Sequence, residues 1–78
     1  MPLTKERYHG AVVSWTFSGH GFIYDRTKKQ KVFAHFTDIN EKGWRSLKRG
    51  QIVNYKLTFN VERNTWVAKN IKYGLGKR

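Results

Sequence analysis

Val53-Asn54-Tyr55-Lys56-Leu57-Thr58-Phe59-Asn60-Val61 alternates apolar and polar residues over its whole length. Side chains of an extended strand point to opposite faces in turn, so this period of two marks a strand with one face toward a core. Outward from it the pattern repeats in shorter pieces. Segment 11–17 sets Ala11, Val13, Trp15 and Phe17 against Val12, Ser14 and Thr16. Segment 20–24 sets His20, Phe22 and Tyr24 against Gly21 and Ile23. Segment 31–36 sets Lys31, Phe33 and His35 against Val32, Ala34 and Phe36, and a last strand is expected over 65–73. Helical spacing of apolar residues is nowhere sustained.

The connections suit the strands. Ser18-Gly19 fits a tight turn, 25–30 a polar hairpin loop and Glu62-Arg63-Asn64 another turn, with Asn tolerating positive φ. The stretch from Thr37 to Gly50 is too long for a hairpin; a short helical turn is expected near Thr37–Asn40, with Asp38 as a local cap. Three strands, a longer crossing and two strands predict an all-β, five-stranded antiparallel Greek-key barrel. The domain is expected over 8–73, between basic tails at 1–7 and 74–78.

Composition narrows the function. The 78 residues carry 16 Lys+Arg against 5 Asp+Glu, a net charge of +11, with three Trp, four Tyr, five Phe and no Cys. So many rings argue against disorder. Zero cysteines exclude a disulfide scaffold and agree with a cytoplasmic protein. No apolar run is long enough to span a membrane, no leader-like apolar region opens the chain, and no amphipathic helix suggests a membrane surface. A basic, ring-rich small domain suits a polyanion.

The rings must be divided between core and surface. Ile23, Val32 and Ala34 suit the inside, which leaves His20, Phe22, Phe33 and His35 on the outer face of two neighbouring strands. The opposite choice would bury two His and Lys31 with them, at a high desolvation cost. An exposed ring cluster asks for a partner. Single-stranded bases stack on such rings, at about 1–3 kcal/mol per base, while surrounding cations follow the phosphates. Lys28, Lys29 and Lys31 in the second hairpin, and Arg45 and Lys48 in the long connection, are the expected phosphate contacts. On the long strand, Leu57 and Phe59 read as core, Tyr55 as core or rim, and Trp66 is unassigned.

These residues resemble the cold-shock domain family. The family motif K-G-F-G-F-I corresponds to Ser18-Gly19-His20-Gly21-Phe22-Ile23, and V-F-V-H-F to Val32-Phe33-Ala34-His35-Phe36. Similar spacing continues through Thr37-Asp38-Ile39, Gly43-Trp44-Arg45-Ser46-Leu47, Gly50-Gln51 and Ala68-Lys69-Asn70-Ile71. The resemblance covers about 9–73. It implies an oligonucleotide-binding barrel, with single-stranded RNA or DNA laid across the first three strands and bases stacked on Phe22, Phe33, His35, Phe36 and Trp44. It also suggests RNA-chaperone activity.

The departures lie early in the chain. The family's W-F-N-x-x-K-G reads Trp15-Thr16-Phe17-Ser18-Gly19, so the strand-one stacking ring is either Trp15, the favoured choice, or Phe17. Ser18 replaces a Lys. His20 replaces a Phe, and an imidazole still stacks on a base.

The second reading is a regulatory module that acts on the transcription or translation machinery. An enzyme is not expected: His20 and His35 are better explained as stacking rings than as an acid–base pair. No ligand spacing suggests a metal, and no glycine-rich phosphate loop suggests a nucleotide cofactor. A monomer is expected.

Overall fold

The computed structural model describes residues 7–43 and 45–75, and five strands in it close a barrel. They are β1 (Tyr8–Trp15), β2 (His20–Asp25), β3 (Gln30–His35), β4 (Ile52–Asn60) and β5 (Thr65–Tyr73), in the order β1-β2-β3-β5-β4 around the wall. The pairings are antiparallel, except that a parallel contact between Phe33 and Val67 closes the barrel between β3 and β5. The predicted all-β Greek-key barrel is therefore the observed fold.

Val12, Ile23, Val32, Ala34, Val53, Tyr55, Ala68 and Ile71 fill the interior, as period-two alternation brings one face of each strand inward. Ile39 and Leu47, from the long connection, are also buried there. They anchor the two ends of that connection, and Asn40 adds an N–H bond to the Ile71 carbonyl (2.7 Å).

Two polar residues are built into this core. Asp25 is fully buried; it accepts from the Tyr55 hydroxyl at 2.5 Å and from the Lys28 backbone N–H at 2.7 Å. The first bond ties β2 to β4, and the second, to the N–H three residues on, holds the start of the β2–β3 hairpin. Burial, and then the neighbouring Asp25 carboxylate, push the Tyr55 phenol well above its ordinary value. Asn54 is also buried and accepts from the Arg7 Nε at 2.5 Å, while its amide donates to the Gly74 carbonyl at 2.9 Å. Arg7 further reaches the Asn70 carbonyl, so this cation is bound to the barrel. Partial burial lowers its pKa from the ordinary guanidinium value.

Three expectations need correction. Strand β1 ends at Trp15, so Phe17 belongs to the following turn and is fully exposed. The short helical turn is a 3-10 turn over Phe36–Asp38, and its cap is His35, whose ring accepts from the Thr37 N–H, not Asp38. Asp38 instead pairs with Lys69 at 3.4 Å. Phe59 was expected in the core and is 40% exposed, and Val61 is exposed too. The register explains this. Strand β1 pairs with β4 only from Ile52 to Tyr55, whereas β4 and β5 stay paired out to Asn60 and Thr65. Phe59 keeps the inward phase of Leu57, but it sits on a two-stranded overhang, where its ring meets Trp66 edge-on at 5.1 Å.

Candidate nucleic-acid interface

The interface is built on β2 and β3. Their register sets His20 opposite His35, Phe22 opposite Phe33 and Tyr24 opposite Lys31. Gly21 and Ile23 alternate inward against Ala34 and Val32, and all four are buried. The outer face predicted from sequence is therefore the observed one.

Glycine sets how closely β1 approaches this sheet. A Cβ on Gly21 would lie 2.0 Å from the Ser14 carbonyl oxygen and 2.8 Å from the Trp15 Cα. Both are backbone atoms, so a side chain there would force the strands apart. Gly19 has φ +92, and a Cβ on it would meet the Phe36 ring at 2.6 Å. Phe36 is thus seated on the β1–β2 turn, and its N–H donates to the Gly19 carbonyl at 2.8 Å.

The outer face carries a continuous row of rings. Centroid separations are 5.9 Å for Phe22–Phe33, 6.0 Å for His20–Phe33, 6.5 Å for Phe33–His35 and 4.8 Å for His35–Phe36. Phe22 and Phe36 are each 38% exposed; Phe33, His20 and His35 are half-buried with their faces in the row. Threonines orient both imidazoles. Thr37 Oγ1 lies 2.9 Å from His35 Nδ1, and Thr16 Oγ1 lies 3.4 Å from His20 Nδ1. Neither threonine is among the residues expected from sequence, although a hydroxyl two residues after a strand-end His is a readable signal. Tyr24, which alternation sets on the same outward face as Phe22 although it is not among the expected stacking rings, is exposed opposite Lys31.

Trp15 and Phe17 do not lie in the row. Trp15 is half-buried against the core, and Phe17 stands at the tip of the turn. Both line, with Ser18, Phe36 and Arg45, a cleft of 690 Å³ beside the row. Trp44 lies outside the described residues.

The expected phosphate-contacting cations separate into two groups. Lys31 is beside the rings, its Nζ 5.7 Å from the Phe22 centroid, and Arg45 lines the cleft next to Phe36. Lys28 sits on other rings: its Nζ lies 4.1 Å over the Trp66 ring and 6.0 Å from the Tyr8 ring. Lys29, at φ 56 in the hairpin, lines a different depression with Tyr24 and Ile52. Lys48 is exposed in the turn that leads into β4, its backbone N–H bonded to the Gln51 side chain. Among the described residues one ion pair, Lys69–Asp38, consumes a cation. Positive charge is therefore left free to meet an anionic ligand.

Comparisons with known proteins agree with this fold. Residues 9–73 match the family described as the "Cold-shock" DNA-binding domain. The chain is 42% identical over 48 residues to the cold shock protein ScoF of Streptomyces coelicolor, a match covering 59% of this chain and 72% of that protein. It is 39% identical over 56 residues to the cold shock-like protein of Aquifex aeolicus, covering 69% and 74%. It is 34% identical over 56 residues to protein lin-28 of Caenorhabditis remanei, covering 70% of this chain and 26% of that one. The chain thus spans about a quarter of the lin-28 relatives it matches. Among solved structures, drosophila Unr CSD456 superposes with a TM-score of 0.74 at 21% identity, over 90% of this chain and 27% of that one.

Proposed function

The chain belongs to the cold-shock domain family of nucleic-acid-binding barrels, and from that premise we propose that it binds single-stranded RNA or DNA with little sequence preference and keeps RNA unpaired. The observation that carries this reading is the unbroken row His20, Phe22, Phe33, His35 and Phe36, with adjacent centroids 4.8–6.5 Å apart.

Every base offers a π-face, so stacking on such a row tolerates sequence. A paired base is already stacked and does not offer its face to the protein. Binding to this row therefore competes with base pairing, and free energy of stacking shifts the equilibrium toward the open strand without a nucleotide cofactor. Lys31 and Arg45 flank the row and would hold phosphates. The role is one of binding, with no bond made or broken in the strand.

A hairpin RNA carrying a fluorophore and a quencher at its ends tests the reading. The protein is expected to raise the fluorescence at constant temperature, to do so without ATP, and to leave the RNA at full length afterwards. Phe22→Ala and Phe33→Ala are expected to abolish the rise. A rise that persists in both variants would contradict the stacking row as its cause.

A further inference from the structure

Away from the ring row, the register of three strands lines up a second outward surface. Strand β1 lies between β2 and β4, and Ala11 is paired with Tyr24 on one side and with Ile52 on the other. Directly opposed residues of antiparallel strands share a face. Gly10, Val12, Ile23, Asp25 and Val53, their neighbours along the chain, are buried, so Tyr24, Ala11 and Ile52 face outward. Tyr24 and Ile52 are 41% and 37% exposed. Ala11 is the smallest side chain of the three, and the wall sinks above its methyl into a depression of 460 Å³, lined also by Arg26 and Lys29.

The hairpin that supplies these two cations is tied down. The Arg26 N–H donates to the His9 carbonyl at 3.2 Å, and the Lys29 N–H to the carbonyl of buried Asp25 at 2.8 Å. Lys29 has φ 56, a left-handed backbone that glycine adopts with less strain. A lysine is kept there at a cost, and its side chain lines the depression. No acidic side chain lines it, and the ion pair of the described residues, Lys69–Asp38, involves neither cation.

These features select an occupant. Of the five lining residues one, Tyr24, carries a ring, so successive bases find no stacking row here. A second copy of the chain fits worse. A self-complementary contact would set Arg26 and Lys29 against the same cations, on chains that each carry +11. An apolar side chain flanked by carboxylates suits both the aliphatic floor and the positive rim.

We propose that the depression over Ala11 docks an acidic segment of a partner protein, with one apolar side chain of that segment seated between Tyr24 and Ile52 and its carboxylates on Arg26 and Lys29. Docking there does not require the ring row. The surface is centred on β1, so a barrel that holds a single strand on β2 and β3 keeps this wall open to a partner.

Two fluorescein-labelled, glutamate-rich peptides test this by anisotropy, one with a central leucine and one with a serine in its place. They are titrated against wild type, Ala11→Leu, Lys29→Gly and Phe33→Ala, with oligo-U titrated in parallel. Ala11→Leu fills the depression from the outer face, and Lys29→Gly removes a cation where the backbone suits glycine, so neither disturbs the core. Wild type is expected to bind the leucine peptide about 10-fold more tightly than the serine peptide, through burial of the leucine. Ala11→Leu is expected to abolish that preference. Lys29→Gly is expected to weaken both peptides by about 2- to 5-fold, and Phe33→Ala to leave both unchanged. Equal affinity of the two peptides for wild type would overturn the proposal, since charge alone would then hold them. A preference that survives Ala11→Leu, or a loss in Phe33→Ala, would place the peptide elsewhere and overturn it too. So would an Ala11→Leu variant that loses oligo-U as Phe33→Ala does, because the depression would then belong to the nucleic-acid path. Oligo-U binding that ignores Phe33→Ala would contradict the stacking row and leave the docking surface standing.

Discussion

At the scale of the residue, polar atoms and rings are held by specific partners, and Tyr55 shows how much depends on one of them. Its hydroxyl gives the buried Asp25 carboxylate one of two donors. Tyr55→Phe keeps the ring's volume but leaves that carboxylate short of a partner, and is expected to cost about 1–3 kcal/mol of stability. Burial of the phenol, and then its bond to Asp25, give a pH dependence. In the barrel the phenol stays neutral because its pKa is raised. In the unfolded chain it ionises at about pH 10. Its contribution is therefore complete below that pH and is lost as the pH rises beyond it. Denaturant midpoints at about pH 8 and about pH 10.5 are expected to converge for wild type and Tyr55→Phe; a constant gap would contradict the assigned cause.

At the scale of the element, the interface depends on the close approach of β1 to β2. Gly21→Ala would place a methyl 2.0 Å from the Ser14 carbonyl oxygen. The strands must separate there, at an expected cost of about 1–3 kcal/mol, and amide exchange is expected to quicken in Trp15 and Phe22 together. A variant with wild-type midpoint and exchange would show that the approach is not needed. The same element shows what the sequence could and could not convey. Phe22, Phe33 and His35 were legible as outward because Ile23, Val32 and Ala34 leave one sensible polarity. The phase of Phe59 was legible too, but its exposure was not: that depends on where β1 stops pairing with β4, a property of register and not of period. Alternation continues through Phe17 and extends the expected strand over it, while the turn's hydrogen bonds end the strand at Trp15. Lys28 reads as one cation among many until the fold brings Trp66 beneath it.

At the scale of the whole molecule, the charge of +11 and the ring row make separable contributions. Neutralising about 3–5 phosphates on a single strand gives a slope of log K on log salt of about −2 to −3.5. Arg45→Ala and Lys31→Ala are each expected to make the slope shallower by about 0.7, read from titrations at several salt concentrations. Lys28→Ala is expected to leave it nearly unchanged, because that ammonium lies over Trp66. An equal change for all three would mean that the surface charge acts as a whole and that placement is irrelevant. Stacking, by contrast, survives salt.

The most direct measurement is therefore tryptophan fluorescence titration of wild type and Phe33→Ala with oligo-U, oligo-dT and a matched duplex, at low and high salt. The account predicts tight binding of both single strands and weak binding of duplex. It predicts a loss of about 5- to 150-fold in Phe33→Ala, of the same size at both salt concentrations. Affinity that ignores the substitution and vanishes with salt would contradict it, and would leave a basic surface without a stacking face.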